Sequence, residues 1–355
     1  MRLASPRSLV ALLVVAGLGA AALRAGRPAH PPVTVLSGPA MGARYSVTIG
    51  AALDREATSR AASAVSRELA RVDELMSNWR ADSEIERFNR QRSTAPVAVS
   101  PDLAEVVAIA RRVSDASAGA FDITVAPLVR AWGFGPSRSL VAQPTDVQLA
   151  AAGTAVGYRL LDVEPGPGTL RKRHPETQCD LSGVAPGYAA DRIAAALSDL
   201  GHRDVLVDIG GEIKPLGHRP DGGPWRVAVS TPNAAGGQAP SASPAVAATV
   251  GLSGLALATS GDYRDFRVDA SGQRQSHIID PRTARPVSHA LASATVVHPG
   301  AAEADALATA LMVLGPDEGH ALAERQHLAA YFIVRLGEAS FETRQTQAFA
   351  ALRAD

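Results

Sequence analysis

Residues 33–50 read VTVLSGPAMGARYSVTIG, with apolar and polar residues alternating on both sides of Met41-Gly42. A period of two places successive side chains on opposite faces of a strand, so the stretch predicts two strands joined by a tight connection. The period then changes at once. Ala57, Ala61, Ala64, Val65, Leu69, Val72, Leu75 and Met76 recur at helical spacing and predict a long amphipathic helix over 54–76. A chain that opens on a hairpin and follows it with a helix of that length must build a sheet and cover it with helices.

The same alternation of periods continues. Pro101 opens a helix over 102–117 that stops at Gly119, and 145–160 is expected to be helical. Residues 160–180 form a hairpin around EPGPG, and a helix begins at Pro186 and ends at Gly201. Strands are expected at 204–209, 225–230, 249–259, 263–268 and 292–298, a helix at 302–314 and a last strand near 329–335. Residues 232–248, rich in Ala, Pro, Ser and Gly, predict a surface loop. No regular βαβ period, internal repeat or G-x-G-x-x-G after a strand is present. The fold class is α+β, with mixed, mostly antiparallel sheets and packed helices, in one unit from residue 33 to 355.

Residues 1–30 stand apart. Arg2 and Arg7 precede an apolar run from Leu9 to Leu23, followed by RAGRPAHPP. The run resembles a secretory signal and falls short of the roughly 20 apolar residues a membrane span requires. A cleaved signal peptide or an uncleaved N-terminal anchor is expected, and the absence of a cysteine after the run excludes a lipoprotein. The lone Cys179 cannot form an intrachain disulfide. Lys+Arg and Asp+Glu both total 35. With no basic excess the chain is not a nucleic-acid binder, and any phosphate it handles must be neutralised by local geometry or a bound cation.

Three stretches concentrate polar residues. In EADALATALMVLG (303–315), Asp305 and Thr309 are four apart and share a helix face. A carboxylate and a hydroxyl so placed suit a hard cation such as Mg²⁺ or Ca²⁺; they equally suit a helix cap and a hydroxyl bonded back to a carbonyl. In SHIIDPRTARPVSH (276–289), His277 heads a short strand that breaks at Asp280-Pro281. It could take a proton from an attacking hydroxyl near neutral pH, or serve only as a strand-end hydrogen-bonding group. In DLSGVAPGYAADRI (180–193), Pro186 suits the first turn of a helix and pushes Ala185 towards an extended conformation. The carbonyl of Gly183 or of a neighbour is then free for a ligand or cation, in front of the partly positive helix N-terminus. A helix start that binds nothing fits the same residues.

These stretches, with MGARYSV (41–47), MSNWRADSEIERFN (76–89), GAFDITVAPLVRAWGFGP (119–136) and LALATSGDYRDF (255–266), resemble the ApbE family of flavin transferases, the FAD:protein FMN transferases. The segments occur in family order, from about Val33 to the last strand. The resemblance implies an exported or membrane-anchored enzyme that splits FAD at its pyrophosphate. FMN passes to a Ser or Thr hydroxyl of an exported or membrane-bound redox protein, AMP leaves, and a divalent cation, Mg²⁺ or Ca²⁺, is required. Residue by residue it implies Asp305, Thr309 and the Gly183 carbonyl as metal ligands. Met41, Trp79, Ala120, Phe121, Asp122, Asp180, Pro186 and Ile279 fall where the family contacts FAD, and His277 falls on its general base. Two positions depart from the pattern: Pro186 stands where many members have a lysine, and Ala284 replaces the glycine of an Asp-Pro-x-Thr-Gly turn. The competing readings are an FAD pyrophosphatase, with water in place of the acceptor hydroxyl, and a flavin-binding protein without turnover.

Overall fold

Met41 and Gly42 both take positive φ, 49° and 76°. This is the geometry that lets a two-residue turn match the twist of the strands it joins. They connect β1 (Thr34–Ala40) to β2 (Ala43–Ile49) as an antiparallel hairpin, with Ala40 opposite Ala43. The computed structural model describes residues 32–135, 143–164, 166, 168–232, 245–263, 266–268, 274–337 and 340–354. The expected signal or anchor over 1–30 lies outside them, as do residues 233–244 of the expected loop.

Helix α1 (Arg55–Met76) follows, capped by Asp54 Oδ1, which accepts from the Ala57 N–H at 2.7 Å. Next come α2 (Glu84–Arg90), β3 (Val97–Ala98), α3 (Pro101–Ala116), α4 (Ala126–Ala131) and α5 (Asp146–Gly153). Strands β4 (Leu161–Glu164) and β5 (Thr169–Lys172) form the hairpin expected around the Pro-Gly segment, and β3 pairs with β5. Then follow α6 (Ala185–Asp199), β6 (Val205–Ile209), β7 (Glu212–Leu216), β8 (Trp225–Ser230), β9 (Val246–Leu252) and β10 (Ala256–Gly261). Short strands β11 (Phe266–Val268), β12 (Arg274–Ser276), β13 (Ile279–Asp280) and β14 (Arg285–Pro286) lead to β15 (Leu291–His298). The chain continues through α7 (Ala301–Arg325), β16 (Ala329–Arg335), β17 (Phe341–Gln345) and α8 (Gln347–Ala350).

Eight of these strands form one sheet, in the order β1-β2-β6-β7-β10-β15-β16-β17. Every neighbouring pair is antiparallel. The sheet is covered on both faces. On one, α1, α3, α6 and α7 bury Leu291, Ala294 and Val296 of β15 with Ala330, Phe332 and Val334 of β16. On the other, the β8–β9 hairpin and α8 bury Ala292 and Val297 with Tyr331 and Ile333. Double coverage explains why LASATVVH is apolar almost throughout where a one-sided strand would alternate.

The structure departs from the sequence expectations where short-range pattern is ambiguous. The helix expected over 145–160 ends at Gly153, and a single 3₁₀ turn, Tyr158–Leu160, follows Gly157 at φ 147°. The strand expected over 249–259 is two strands, separated by a turn in which Gly254 takes φ 75°. Strand β7, helices α2 and α4, and everything after β16 were not expected. Helix α7 breaks at Gly315, with φ 80° and ψ −174°, before Pro316 resumes it.

Ala284, the alanine found in place of a turn glycine, is held at φ 60° between β13 and β14. Its N–H donates to Asp280 O at 2.9 Å, and its carbonyl accepts from Trp132 Nε1 at 2.9 Å. A non-glycine residue in that region is strained by its Cβ. Ala284→Gly is therefore expected to stabilise the protein by roughly 0.5–1 kcal/mol, part of the relief being offset by added freedom of the unfolded chain. Urea denaturation checks this; a destabilised variant would show that the turn is unstrained.

Candidate active site

The edges of the sheet and the helix termini converge on one cleft of about 380 Å³. Met41 enters it from the β1–β2 turn, and Trp79 from the segment after α1. Ala120, Phe121 and Asp122 come from the loop before α4, and Asp180, Gly183 and Pro186 from the loop that becomes α6. His277 and Ile279 flank the start of β13, and Asp305 and Thr309 lie on the first turns of α7. Every candidate site residue read from the sequence lines this cleft, whereas Ala284 and Cys179 do not.

The polar end is built by α6 and α7. Asp305 is buried, and its Oδ2 accepts from the Gly187 N–H at 3.1 Å. In an ordinary first turn that N–H would reach back four residues to the Gly183 carbonyl; here it does not, so the helix ladder leaves that carbonyl unused. Thr309 Oγ1 lies 3.0 Å from Ser260 Oγ, at the end of β10. Gly183 passes so close that an added Cβ would stand 3.2 Å from Thr309 Oγ1 and 3.2 Å from the Phe121 ring. A carboxylate, a hydroxyl and a main-chain carbonyl make an all-oxygen donor set, which fits a hard divalent cation. Among the described residues no cluster of three His, Cys, Asp or Glu offers a complete side-chain cage. A cation here would complete its shell with water and ligand oxygens, the habit of Mg²⁺ bound with phosphates.

Asp122, Asp180, Glu212 and Asp305 all line the cleft. An anion meets such a surface favourably only with counter-charge, to which the α6 N-terminus contributes through its dipole. Asp122 is partly spent on its own loop: Oδ1 accepts from Thr124 N–H at 2.7 Å and Oγ1 at 2.6 Å, and Oδ2 accepts from the Tyr158 N–H at 2.6 Å. Burial pushes its pKa up, against the pull of those hydrogen bonds. Trp79, by contrast, is 59% exposed although it is the largest kind of side chain. An indole left open at a cleft mouth is a flat platform for a planar ligand.

The loop from Cys179 to Gly183 is held by residues that sequence reasoning missed. Asn89 Oδ1 accepts from the Cys179 N–H at 2.7 Å, while its Nδ2 donates to Cys179 O at 2.8 Å. Asn78 Nδ2 donates to the same carbonyl at 2.8 Å, and Asn78 Oδ1 accepts from the Leu181 N–H at 3.0 Å. Behind Asn89, buried Lys172 donates from Nζ to Asn89 O at 3.0 Å and Gln91 O at 2.9 Å, tying down the C-terminus of α2. Cys179 itself is a buried core thiol whose pKa burial pushes up to about 12. Both asparagines lie in MSNWRADSEIERFN, and Asn89 sits on the buried face of α2 beside Ile85 and Phe88. A polar residue on an apolar helix face is the one local signal that could have marked it.

Residues 41–332 match the ApbE family. A relative from Haemophilus influenzae, named FAD:protein FMN transferase, is 38% identical over 90% of this chain and 91% of its own length. One of the same name from Escherichia coli K12 is 38% identical over 89% and 88%. Among solved structures, the flavin transferase ApbE from Vibrio cholerae superposes with a TM-score of 0.77 at 36% identity, covering 90% of this chain and 100% of that one. The apo form of the Pseudomonas stutzeri flavinyl transferase ApbE gives 0.80 at 38%, covering 91% and 97%.

Lys172 supplies a pH signature of the loop clamp. Burial lowers its pKa from 10.5 to about 8. Between those values the unfolded chain binds more protons than the folded one, so this group makes stability rise with pH; its penalty is complete below about 8 and gone above 10.5. Lys172→Met removes the penalty along with the two hydrogen bonds. The stability of the variant relative to wild type should therefore fall as pH is raised from 7.5 to 10 in paired urea titrations. A difference that does not change with pH would show that Lys172 is not a buried cation.

Proposed function

The chain belongs to the ApbE family, and on that footing we propose that it cleaves FAD at the pyrophosphate, transfers FMN through its phosphate to a Ser or Thr hydroxyl of an acceptor protein, and releases AMP. One observation carries the reading. A single cleft brings the oxygen donors Asp305, Thr309 and Gly183 together with the imidazole of His277 and the open indole of Trp79.

Phosphoryl transfer asks little covalent chemistry of a protein; it asks for positioning and charge neutralisation. Asp305, Thr309 and the Gly183 carbonyl would hold a divalent cation, with Mg²⁺ favoured by the single carboxylate. Such an ion would supply charge neutralisation to the pyrophosphate. The N-terminus of α6 presents its dipole to the same phosphates. His277 takes the proton of the acceptor hydroxyl as that oxygen attacks the FMN phosphorus. Trp79 offers its face to a flavin or adenine ring, worth on the order of 1 kcal/mol beyond area burial. Phe121, Ile279 and Met41 supply apolar walls, and the clamped loop holds Asp180 at the rim.

The basic, apolar segment over 1–30 supports export, with an exported or membrane-bound redox protein as acceptor. No helix of the described residues is long and apolar enough to cross a membrane.

Incubation with FAD, Mg²⁺ and a domain bearing a Ser/Thr acceptor tests the reading by in-gel flavin fluorescence and AMP release. Labelled acceptor with AMP is expected. AMP and FMN without label would replace transfer by hydrolysis, and intact FAD that co-purifies would leave only binding. Asp305→Ala is expected to abolish the metal-dependent reaction, and full retention would refute its role as a ligand. His277→Ala should keep FAD binding, measured by flavin fluorescence, and lower the transfer rate by roughly 10²–10⁴-fold; an unchanged rate removes it as the base.

A further inference from the structure

Neither α6 nor α7 caps its own N-terminus, since the N-cap residues Val184 and Gly300 make no side-chain hydrogen bond to their helices. Each helix is capped by an aspartate of the other. Asp305 on α7 accepts from the Gly187 N–H in the first turn of α6. Asp191 on α6 accepts, through Oδ2, from the Ala301 and Ala302 N–H groups at 2.8 and 3.0 Å, in the first turn of α7. On both helices donor and acceptor are four residues apart, 187 to 191 and 301 to 305, and so lie on one face one turn from each other. The two ties flank the point where the helices touch. There a Cβ on Gly187 would meet the Ala301 carbonyl oxygen at 2.3 Å. Lys214 braces the far side: its Nζ lies 3.4 Å from Asp191 Oδ1 and donates to Pro299 O at 2.5 Å.

We infer that Asp191 is a positioning residue for the Asp305–Thr309 pair. Resting on the reading of that pair as cation ligands, the inference gives Asp191 a task that Asp305 cannot perform alone. Asp305 has one oxygen committed to the Gly187 N–H, and that tie holds only where the first turn of α7 stays against α6. Asp191 grips that turn one helical turn before Asp305. It thereby fixes how far the Asp305 carboxylate stands from the Gly183 carbonyl and from Thr309 Oγ1. Loss of Asp191 frees two N–H groups at the start of α7 and the strap that sets its register on α6. Ligand spacing is then no longer held, and cation affinity falls while the cleft residues themselves remain.

The test uses the full chain and Mn²⁺ alone as probe, with binding read from loss of the free-ion EPR signal and stability from thermal unfolding. Asp191→Ala is expected to weaken Mn²⁺ binding on the order of tenfold, the usual effect of removing a group that orients a metal ligand, and to lower Tm. The double variant Asp191→Ala/Gly300→Asp supplies a cap within α7 without tying it to α6. A Cβ at position 300 would stand 2.4 Å from Glu303 Oε2, the far end of a long side chain, and 3.8 Å from Asp191 Oδ2, an atom the double variant lacks. The double variant should recover Tm yet keep the weakened Mn²⁺ affinity. Wild-type affinity in the single variant, or recovery of affinity together with Tm in the double, overturns the inference, because Asp191 would then be only a cap. If the single variant does not fold, the double variant decides alone on its affinity. A wild-type protein that binds no Mn²⁺ overturns the ligand assignment itself and this inference with it.

Discussion

The contact on which the rest depends is the crossing of α6 and α7 at Gly187. No side chain fits there, since even a methyl group would overlap the Ala301 carbonyl. The closeness brings two helix N-termini to one place and puts the Gly187 N–H within reach of Asp305. A helix N-terminus is a weak anion site because its exposed N–H groups carry partial positive charge. Here one such group is satisfied by a carboxylate that also faces the cleft. The same oxygen cap that completes α6 thus supplies the acidic donor a cation would use, and it releases the Gly183 carbonyl from the helix ladder.

That arrangement needs a support that does not yield, and the sheet provides it. Strands β10, β15 and β16 are covered on both faces, so α7 packs on strands that cannot shift towards solvent. The wall opposite is a smaller apolar cluster in which Leu128, Trp132, Phe134 and Leu149 hold Ile279. Trp132 also takes the Ala284 carbonyl, so the turn after His277 is fixed from α4. The remaining wall, the loop from Cys179 to Gly183, is held by Asn78 and Asn89 and braced by Lys172. The three walls come from distant parts of the chain, and each is locked by polar contacts behind its lining.

What the sequence made legible follows from this division. The β1–β2 hairpin and helices α1, α3 and α6 carry strong period signals and lie where expected. Asp305 and Thr309 were visible because helical spacing alone puts them on one face. The resemblance supplied Met41, Trp79 and the loop residues, whose separate signals are weak. The supports were not legible. Asn89 lies 90 residues from Cys179, and Asp191 lies 110 from the N–H group it caps. A hydrogen bond across such a separation leaves no local period, and a lone Asn or Asp in a helix reads as surface. The helix expected over 145–160 failed for a related reason. AAAGTAVGY is compositionally helical up to a glycine, and only long-range contacts, from the Gly157 N–H to Thr124 and from the Tyr158 N–H to Asp122, show that the chain turns back there.

Pro186 then becomes intelligible. At that position a lysine would bring a cation into the cleft beside Asp305, where it would also compete for the carboxylate. Proline brings none, but it carries no N–H and fixes φ in the first turn of α6. One donor that would need a partner is absent, and the next N–H, that of Gly187, is directed at Asp305. Proline thus brings no side-chain charge to the cleft wall and fixes the helix start whose Gly187 N–H meets the Asp305 carboxylate. On the proposed reading, counter-charge for an anionic ligand would come from a cation held by Asp305, Thr309 and Gly183 and from the two helix termini, so the precision of the site would rest on how firmly α6 and α7 are tied.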